Sequence, residues 1–154
     1  MRDTSVLEMG PLPAPRLAIT ATLHQALQML VRGRRGAVVL IDGLRPVGVF
    51  TERDVVNRLS EDLLRNPEQR RITPVREVMS FPPVTIRRQQ TLAEAMEIMV
   101  ERSFRHLVLV DREENLRGMM TSGDVVQFVT DLFPEETVNL PPRLRQRFQT
   151  PEGA

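Results

Sequence analysis

The chain of 154 residues contains no cysteine, no tryptophan and no tyrosine, and every one of its 21 basic residues is arginine. Without cysteine it has no disulfide, no thiolate nucleophile and no cysteine-based metal site. Six phenylalanines and the imidazoles of His24 and His106 are its only rings besides proline, which leaves little material for stacking nucleic-acid bases. Disulfide-stabilised and thiol-dependent classes of protein are therefore excluded.

An excess of charge and a long hydrophobic run are missing as well. The formal net charge is +1, whereas a nucleic-acid-binding domain normally concentrates a basic excess on one face. The longest apolar run, at 37–41, is far too short to span a bilayer, and residues 1–10 lack the apolar run of a signal peptide. The sequence predicts a soluble cytoplasmic protein with neither a membrane nor a nucleic acid as its partner.

What the sequence does contain is an internal repeat. GVFTERDVV at 48–56 returns as GMMTSGDVV at 118–126, and TLHQALQMLV at 22–31 matches TLAEAMEIMV at 91–100 with an offset of 69. The offset grows to 70 at the repeated Gly-apolar-apolar-Thr-x-x-Asp phrase, which predicts one extra residue in the preceding turn of the second copy. The glycine that opens each phrase indicates close backbone approach or a positive φ.

Each copy predicts a strand, a helix, two strands and a second helix. Apolar residues recur at i, i+3, i+4, i+7 and i+8 from Leu23 and again from Leu92, as on an amphipathic helix. A capping box precedes each of these helices, formed in the first copy by Thr22 and Gln25. A β-branched run, a turn and another apolar run then predict two strands, and the Thr-x-x-Asp phrase begins the second helix.

One such unit has too small a core to stand alone. We therefore expect an α/β (α+β) fold in which two pseudo-twofold-related units pack sheet to sheet, with helices covering the outside. Short lead-ins, SVLEM and VREVM, precede the two units. The predicted organisation is a first repeat at 5–60, a connector at 61–74, a second repeat at 75–131 and a Pro- and Arg-rich tail at 132–154, where Pro141 and Pro142 favour a short helix.

These residues resemble a tandem pair of CBS (cystathionine-β-synthase type) domains, also called a Bateman module. The resemblance is carried by VREVMS followed by PPVTI, by TLAEAM, by RHLVLVD and by the repeated phrase, and it covers about residues 5–131. It implies a regulatory module, not an enzyme, that binds AMP, ADP, ATP or S-adenosylmethionine in clefts between the repeats. It also implies homodimers, and we expect the output to reach a separate, unidentified regulated protein.

The resemblance assigns the ribose hydroxyls to the aspartate of each phrase and places the threonine near the ribose or phosphate. It assigns phosphate contact to the basic pair that opens a strand of the second copy. An ionised aspartate can accept both hydroxyls of a cis-diol, a helix N-terminus attracts anions, and an arginine fork can pair with phosphate. The residues expected to contact the ligand are Thr51, Arg53, Asp54, Thr85, Arg105, His106, Thr121 and Asp124.

Other functions stay open beside this one. Both Thr-x-x-Asp pairs also fit capping boxes that only satisfy helix N–H groups, so a ligand-free dimerisation or protein-interaction module is the alternative. Arg53 precedes the first aspartate whereas Gly123 precedes the second, which predicts two clefts of unequal affinity. An enzyme is disfavoured because no nucleophile or orienting group accompanies the aspartates, and neither a metal nor a cofactor is predicted. Nucleic-acid binding through the arginines of the tail is a weaker alternative.

Overall fold

The computed structural model describes residues 4–132, and each copy of the repeat folds there as strand, helix, strand, strand and helix. The first copy comprises β1 (Arg16–Ala18), α1 (Leu23–Gly33), β2 (Ala37–Asp42), β3 (Arg45–Thr51) and α2 (Glu52–Arg58). The connector forms α3 (Glu61–Arg65) and α4 (Pro67–Ile72). The second copy comprises β4 (Thr85–Ile86), α5 (Leu92–Arg102), β5 (His106–Val110), β6 (Leu116–Thr121) and α6 (Ser122–Leu132). The predicted order of elements in the two copies is confirmed.

The first helix of each copy begins and ends in the same way. Thr22 Oγ1 accepts the backbone N–H of Gln25 at 3.2 Å, and Gln25 Oε1 accepts the N–H of Thr22 at 3.0 Å. Thr91 and its partner three residues on form the same reciprocal box at the start of α5. Both helices end in a left-handed residue that is not glycine, at Arg34 (φ 52°) and Ser103 (φ 54°). The predicted capping boxes are therefore confirmed.

Two three-stranded sheets have the same topology. In each, the first strand pairs in parallel with the second, which pairs antiparallel with the third, in the orders β1-β2-β3 and β4-β5-β6. The first hairpin turns tightly at Gly43 (φ 63°), since Asp42 pairs with Arg45. In the second, Val110 pairs with Leu116, so five residues intervene, against four between the equivalent pair Ile41 and Pro46. The predicted extra residue lies in this turn.

Apolar residues of both sheets form one shared core, which confirms the predicted sheet-to-sheet packing. Val39 and Val49 of the first sheet lie in it with Val108 and Met119 of the second, and all four are at most 9% exposed. A separate core lies beneath α1. It gathers Leu23, Ala26, Leu40 and Phe50 with three residues of the second lead-in, Val75, Val78 and Met79.

The two lead-ins pack on the copy that they do not precede. Val75 lies in the core of the first copy, and its N–H donates to the Ala21 carbonyl at 3.0 Å. Val6, in the lead-in before the first copy, donates its N–H to the Gln90 carbonyl at 2.9 Å, just ahead of α5. Each copy is thus completed by backbone that precedes the other, which sequence reasoning did not anticipate. The physical reason is that the turn before each helix has backbone groups to satisfy, and the crossing segment supplies the partners.

The connector is helical, although its polar composition indicated only a linker. Ser60 caps α3 by accepting the N–H of Leu63 at 3.2 Å. Asn66 caps α4 by accepting two N–H groups, and Pro67 occupies the first turn. Helix α4 packs against α1. Ser60 and Asn66 are residue types that begin helices, but α3 and α4 are too short for their apolar residues to show a helical period.

Part of the apolar pattern of the helices faces solvent. Val31, Val56 and Val100 occupy apolar positions of α1, α2 and α5, yet they are 76%, 82% and 80% exposed. The apolar stripes of these helices are therefore only partly buried. The helices are covered by the sheets on one side only, so the apolar stripe is wider than the buried contact.

The chain divides into two compact units after Ser122. The described part of the second unit is residues 123–132, where Thr130 Oγ1 donates to the Val126 carbonyl at 2.9 Å and Gln127 pairs with Asp131. The helix predicted after Pro141 and Pro142 lies outside the described residues. Between residues 4 and 132, no helix has the length and hydropathy needed to cross a bilayer.

Candidate functional site

The Thr-x-x-Asp phrase of the first copy forms a reciprocal cap at the start of α2. Thr51 Oγ1 accepts the N–H of Asp54 at 3.1 Å, and the Thr51 N–H donates to Asp54 Oδ2 at 2.9 Å. The Thr51 hydroxyl also lies 3.2 Å from the same carboxylate oxygen. Asp54 is only 3% exposed. The capping role left open by the sequence is therefore present in the first copy.

The second oxygen of the Asp54 carboxylate is occupied from two directions. Ser80 Oγ donates to Oδ1 at 2.7 Å, and Arg58 Nε lies 3.0 Å from the same oxygen. The Arg58 side chain is 49% exposed, so the ion pair closes the solvent side of an otherwise buried carboxylate. Arg58 sits one turn after Asp54, a spacing that could have indicated the pair. Ser80 is 26 positions away, and nothing in the sequence pointed to it.

The start of α2 also contacts the second copy. Arg53 Nη1 donates to the Ser103 carbonyl at 3.3 Å, where α5 ends in its left-handed residue. The terminal carbonyls of a helix lack intrahelical partners and attract cations. The Arg53 guanidinium, which was expected to contact a ligand, therefore joins the two copies.

His106 forms a second contact between the copies. It opens β5, and its Nε2–H donates to the Arg35 carbonyl of the first copy at 3.0 Å. A Cβ on Gly36 would stand 3.0 Å from His106 Nε2, so glycine is needed for this approach. Burial lowers the pKa of His106, and the charges of Arg35 and Arg105 lower it further, against the Arg35 carbonyl and Glu52, which raise it. The neutral imidazole with its proton on Nε2 is the favoured form.

The remaining predicted residues lie in different settings. Arg105 is exposed, and its carbonyl accepts the Ser122 N–H at 3.0 Å. Thr121 is buried at the end of β6, opposite His106 in the strand pair. Thr85 is exposed on the edge strand β4. Asp124 is half-buried in the first turn of α6.

Of the eight predicted residues, the structure thus gathers Thr51, Arg53 and Asp54 at one helix start, and it brings His106 to the backbone beside that start. In the sequence, Arg105 and His106 belong to the second copy. The structure instead joins His106 to the first copy, at Arg35 and Gly36. The candidate site is therefore a junction between copies.

Comparison with known proteins agrees with this architecture. The CBS domain family model matches the chain twice, at residues 11–61 and 75–131. The chain belongs to the CBS domain family, as a tandem pair. It is 30% identical over 128 residues to an uncharacterized protein of Methanopyrus kandleri, covering 82% of this chain and 63% of that one. An uncharacterized protein of Thermofilum pendens is 34% identical over 117 residues, and the match spans 36% of its length.

Solved structures of the same fold resemble the chain over most of its length. A CBS domain protein from Pyrobaculum aerophilum, solved as a complex with AMP, is 26% identical with a TM-score of 0.65, covering 82% of this chain and 98% of that one. A putative acetoin utilization protein from Vibrio cholerae has a TM-score of 0.71 at 22% identity, covering 89% of this chain and 98% of that one. The mixed α/β fold with two sheets is thus that of CBS pairs.

Proposed function

We propose that this chain is a regulatory module that binds an adenine-containing ligand between its two copies and conveys the bound state to a separate protein. The ligand class is AMP, ADP, ATP or S-adenosylmethionine. The observation that carries the proposal is the junction between the copies, where Asp54, Arg53 and His106 lie on or beside the start of α2. The AMP complex of the Pyrobaculum relative supports the choice of ligand.

Each proposed residue has a chemical task. Asp54 and its counterpart Asp124 accept ribose hydroxyls, because an ionised carboxylate offers acceptors for both hydroxyls of a diol. Thr51 and Thr121 lie next to the sugar or phosphate, and Thr85 contributes from β4. Arg53, Arg105 and His106 face phosphate, for which a guanidinium fork is suited. The two clefts differ in these residues, so we expect unequal affinities.

Signalling requires a second conformational state with a different affinity for the ligand. The contacts that join the copies provide the place for it, since a ligand between the copies competes with or reinforces Arg53–Ser103 and His106–Arg35. The module supplies no reacting group in this proposal. Its output is a change of shape or partner affinity.

We further propose that two chains pair through their helices. Val31, Val56 and Val100 lie exposed on three helices of the two copies. Burying apolar surface of this kind is the main favourable contribution to protein association. A second copy of the chain is the proposed occupant of this surface.

A ligand-free interaction module is the second candidate, and one observation favours it. The Asp54 carboxylate already accepts from Thr51 and Ser80 and is ion-paired with Arg58. A carboxylate with these partners can serve the fold alone. In that case the repeated aspartates are helix caps, and the exposed helix surface carries the function.

Calorimetric titration and thermal unfolding of the full chain with AMP, ADP, ATP and S-adenosylmethionine test the proposal. At a hundred times its dissociation constant, a ligand adds about 2.7 kcal/mol of stability, or roughly 5–10 °C for a chain of this size. Asp54→Asn and Asp124→Asn should each remove binding at one cleft. Asp62→Asn, on exposed α3, is the matched control and should bind as the wild type does.

The outcomes separate the two candidates. A shift with one ligand that is lost in either aspartate variant supports the sensor and identifies the working cleft. If none of the four ligands at millimolar concentration gives a heat of binding or a shift in unfolding temperature, the interaction module is the remaining candidate.

A further inference from the structure

Both oxygens of the Asp54 carboxylate have partners among the described residues. A carboxylate has about four lone-pair positions. The N–H and hydroxyl of Thr51 take two on Oδ2, Ser80 Oγ takes one on Oδ1, and Arg58 Nε is ion-paired with Oδ1. Because Asp54 is also only 3% exposed, a sugar hydroxyl needs one of these partners to move before it can reach the carboxylate.

Ser80 is the donor that a sugar hydroxyl replaces most directly. The Thr51 contacts belong to the cap of α2, so losing them also frays the helix. The Arg58 contact is an ion pair on the same helix, which stays beneficial beside a bound anion. Ser80 offers a neutral O–H to an ionised oxygen at 2.7 Å, which is the bond a ribose hydroxyl would form.

The residues at the positions of Ser80 and Arg58 differ between the copies. The backbone of Ser80 pairs with Val49 of β3, and the corresponding carbonyl beside β6 is that of Leu12, which accepts the Met119 N–H at 3.0 Å. Leucine has no side-chain donor. The position that corresponds to Arg58 at the offset of 70 is Phe128. The serine and arginine at these two positions of the first copy are thus replaced by leucine and phenylalanine in the second.

From these contacts we infer that Ser80 is an internal competitor for the sugar hydroxyl at Asp54. This inference rests on the proposed function and adds its regulation. Binding of an adenine nucleotide in this cleft exchanges the Ser80 hydroxyl for a ribose hydroxyl on Oδ1. The exchange weakens binding at the first copy's aspartate and makes it conditional on movement of Ser80.

The exchange of hydroxyls at Asp54 can affect the rest of the fold, because Ser80 lies in the segment that crosses between the copies. Ser80 directly follows Met79, which lies with Val75 and Val78 in the core of the first copy. The same segment leads on to β4 of the second copy. Releasing Ser80 from Asp54 therefore removes a side-chain bond that ties the crossing segment to the first copy, beside the backbone pair of Ser80 with Val49. The ligand-dependent difference between two states required for signalling lies in this crossing.

The test compares Ser80→Ala with Ser80→Thr and with Ser60→Ala by calorimetry, using AMP, ADP, ATP and S-adenosylmethionine in turn. Ser80→Ala removes the competitor and should bind about three- to tenfold more tightly, the effect of one ordinary hydrogen bond. Ser80→Thr keeps a hydroxyl and should bind as the wild type does. Ser60→Ala removes a helix cap elsewhere and controls for a general loss of stability.

The sugar provides the second arm. The gain in Ser80→Ala should vanish with the 2′,3′-dideoxy form of the same nucleotide, because no hydroxyl is left to take the vacated acceptor. In the wild-type chain, hydrogen exchange of residues 78–81 should speed up on nucleotide binding while the sheet cores are protected. This measurement needs no variant, so misfolding of Ser80→Ala does not remove the test.

Three results overturn the inference. If folded Ser80→Ala binds with the same affinity as the wild type, Ser80 is not a competitor for the sugar hydroxyl. The proposed function is unaffected by that result, because the wild type still binds. If hydrogen exchange of residues 78–81 slows on binding, the crossing segment is not released by the ligand. If none of the four ligands binds the wild type or Ser80→Ala, the inference and the proposed function fall together.

Discussion

Val75 donates its backbone N–H to the carbonyl of Ala21 at 3.0 Å, and its side chain is completely buried among residues of the first copy. The segment that introduces the second repeat is thus a structural part of the first. The stability of the first copy's core therefore depends on Val75, a residue that lies outside that copy in the sequence.

Val75→Ala should lower the free energy of unfolding by about 2 kcal/mol, because it removes two buried methyl groups and leaves a cavity. Urea unfolding followed by far-ultraviolet circular dichroism measures this, since the chain has no tryptophan or tyrosine. Leu44→Ala, at a turn position 68% exposed and outside the proposed dimer surface, is the control and should change stability by less than about 0.5 kcal/mol. Equal effects of the two substitutions would contradict the packing of the lead-in.

Asp54→Asn should destabilise the chain by about 2–3 kcal/mol even without ligand. The amide carries its own donors toward those of Thr51, Ser80 and Arg58, and bonds to a charged acceptor are lost. The same urea titration checks it, with Asp62→Asn as the exposed carboxylate for comparison. If Asp54→Asn were as stable as the wild type, the carboxylate would have no structural role.

Gly118→Ala should cost about 2 kcal/mol more than Gly48→Ala, although the glycines are equivalent in the repeat. A Cβ at Gly118 meets the backbone carbonyl oxygen of Leu12, which cannot move without the chain. A Cβ at Gly48 meets mainly the flexible end of Met79. Overpacking of this kind costs about 1–3 kcal/mol, depending on whether the neighbour can yield. Equal losses in the two variants, measured by urea unfolding, would show that Met79 is as rigid as the backbone.

His106→Gln should flatten the dependence of stability on pH. The pKa of folded His106 is below the ordinary 6.5, chiefly because the ring is buried. The unfolded chain therefore binds more protons in the window between the two values, so this stabilisation is complete above about pH 6.5 and is lost as the pH falls through the window. Glutamine keeps an N–H for the Arg35 carbonyl but does not titrate.

Thermal unfolding between pH 5 and 7.5 should show a shallower slope in His106→Gln than in the wild type. His24→Gln, which makes the same change at the other imidazole of the chain, is the matched comparison. A wild-type slope in His106→Gln would mean that other groups govern this pH range.

Val31→Asp together with Val100→Asp should separate the proposed dimer. A charge at the centre of an apolar interface leaves an unpaired ion, and such positions cost about 2 kcal/mol or more, a loss of about 30-fold in association. Light scattering after gel filtration measures the mass. Leu44→Asp changes a residue that is 68% exposed, in the turn between β2 and β3, and should leave the mass unchanged. A dimer that survives the double substitution would place the interface elsewhere.

Much of the fold could be predicted because the same capping residues and apolar spacing occur in both copies. Thr22 with Gln25 and the periodic apolar residues after them act within one helix, and the alternation of apolar runs and turns acts within one hairpin. Local sequence is sufficient where the partners lie within a few residues of each other. The Thr-x-x-Asp phrase belongs to this class, since it begins α2 as a cap whether or not a ligand binds.

Tertiary structure alone decided which distant residues complete these local units. The exchange of lead-ins places Val75 in the first copy and Ser80 on Asp54, and no spacing in the sequence encodes a bond across 26 positions. Val31 and Val100 have the same apolar spacing as buried neighbours, yet they face solvent because each helix has a sheet on one side only. The sequence therefore determined the elements and the chemistry available at their ends. Only packing between the copies determined which donors Asp54 meets, because burial and distance depend on the whole fold.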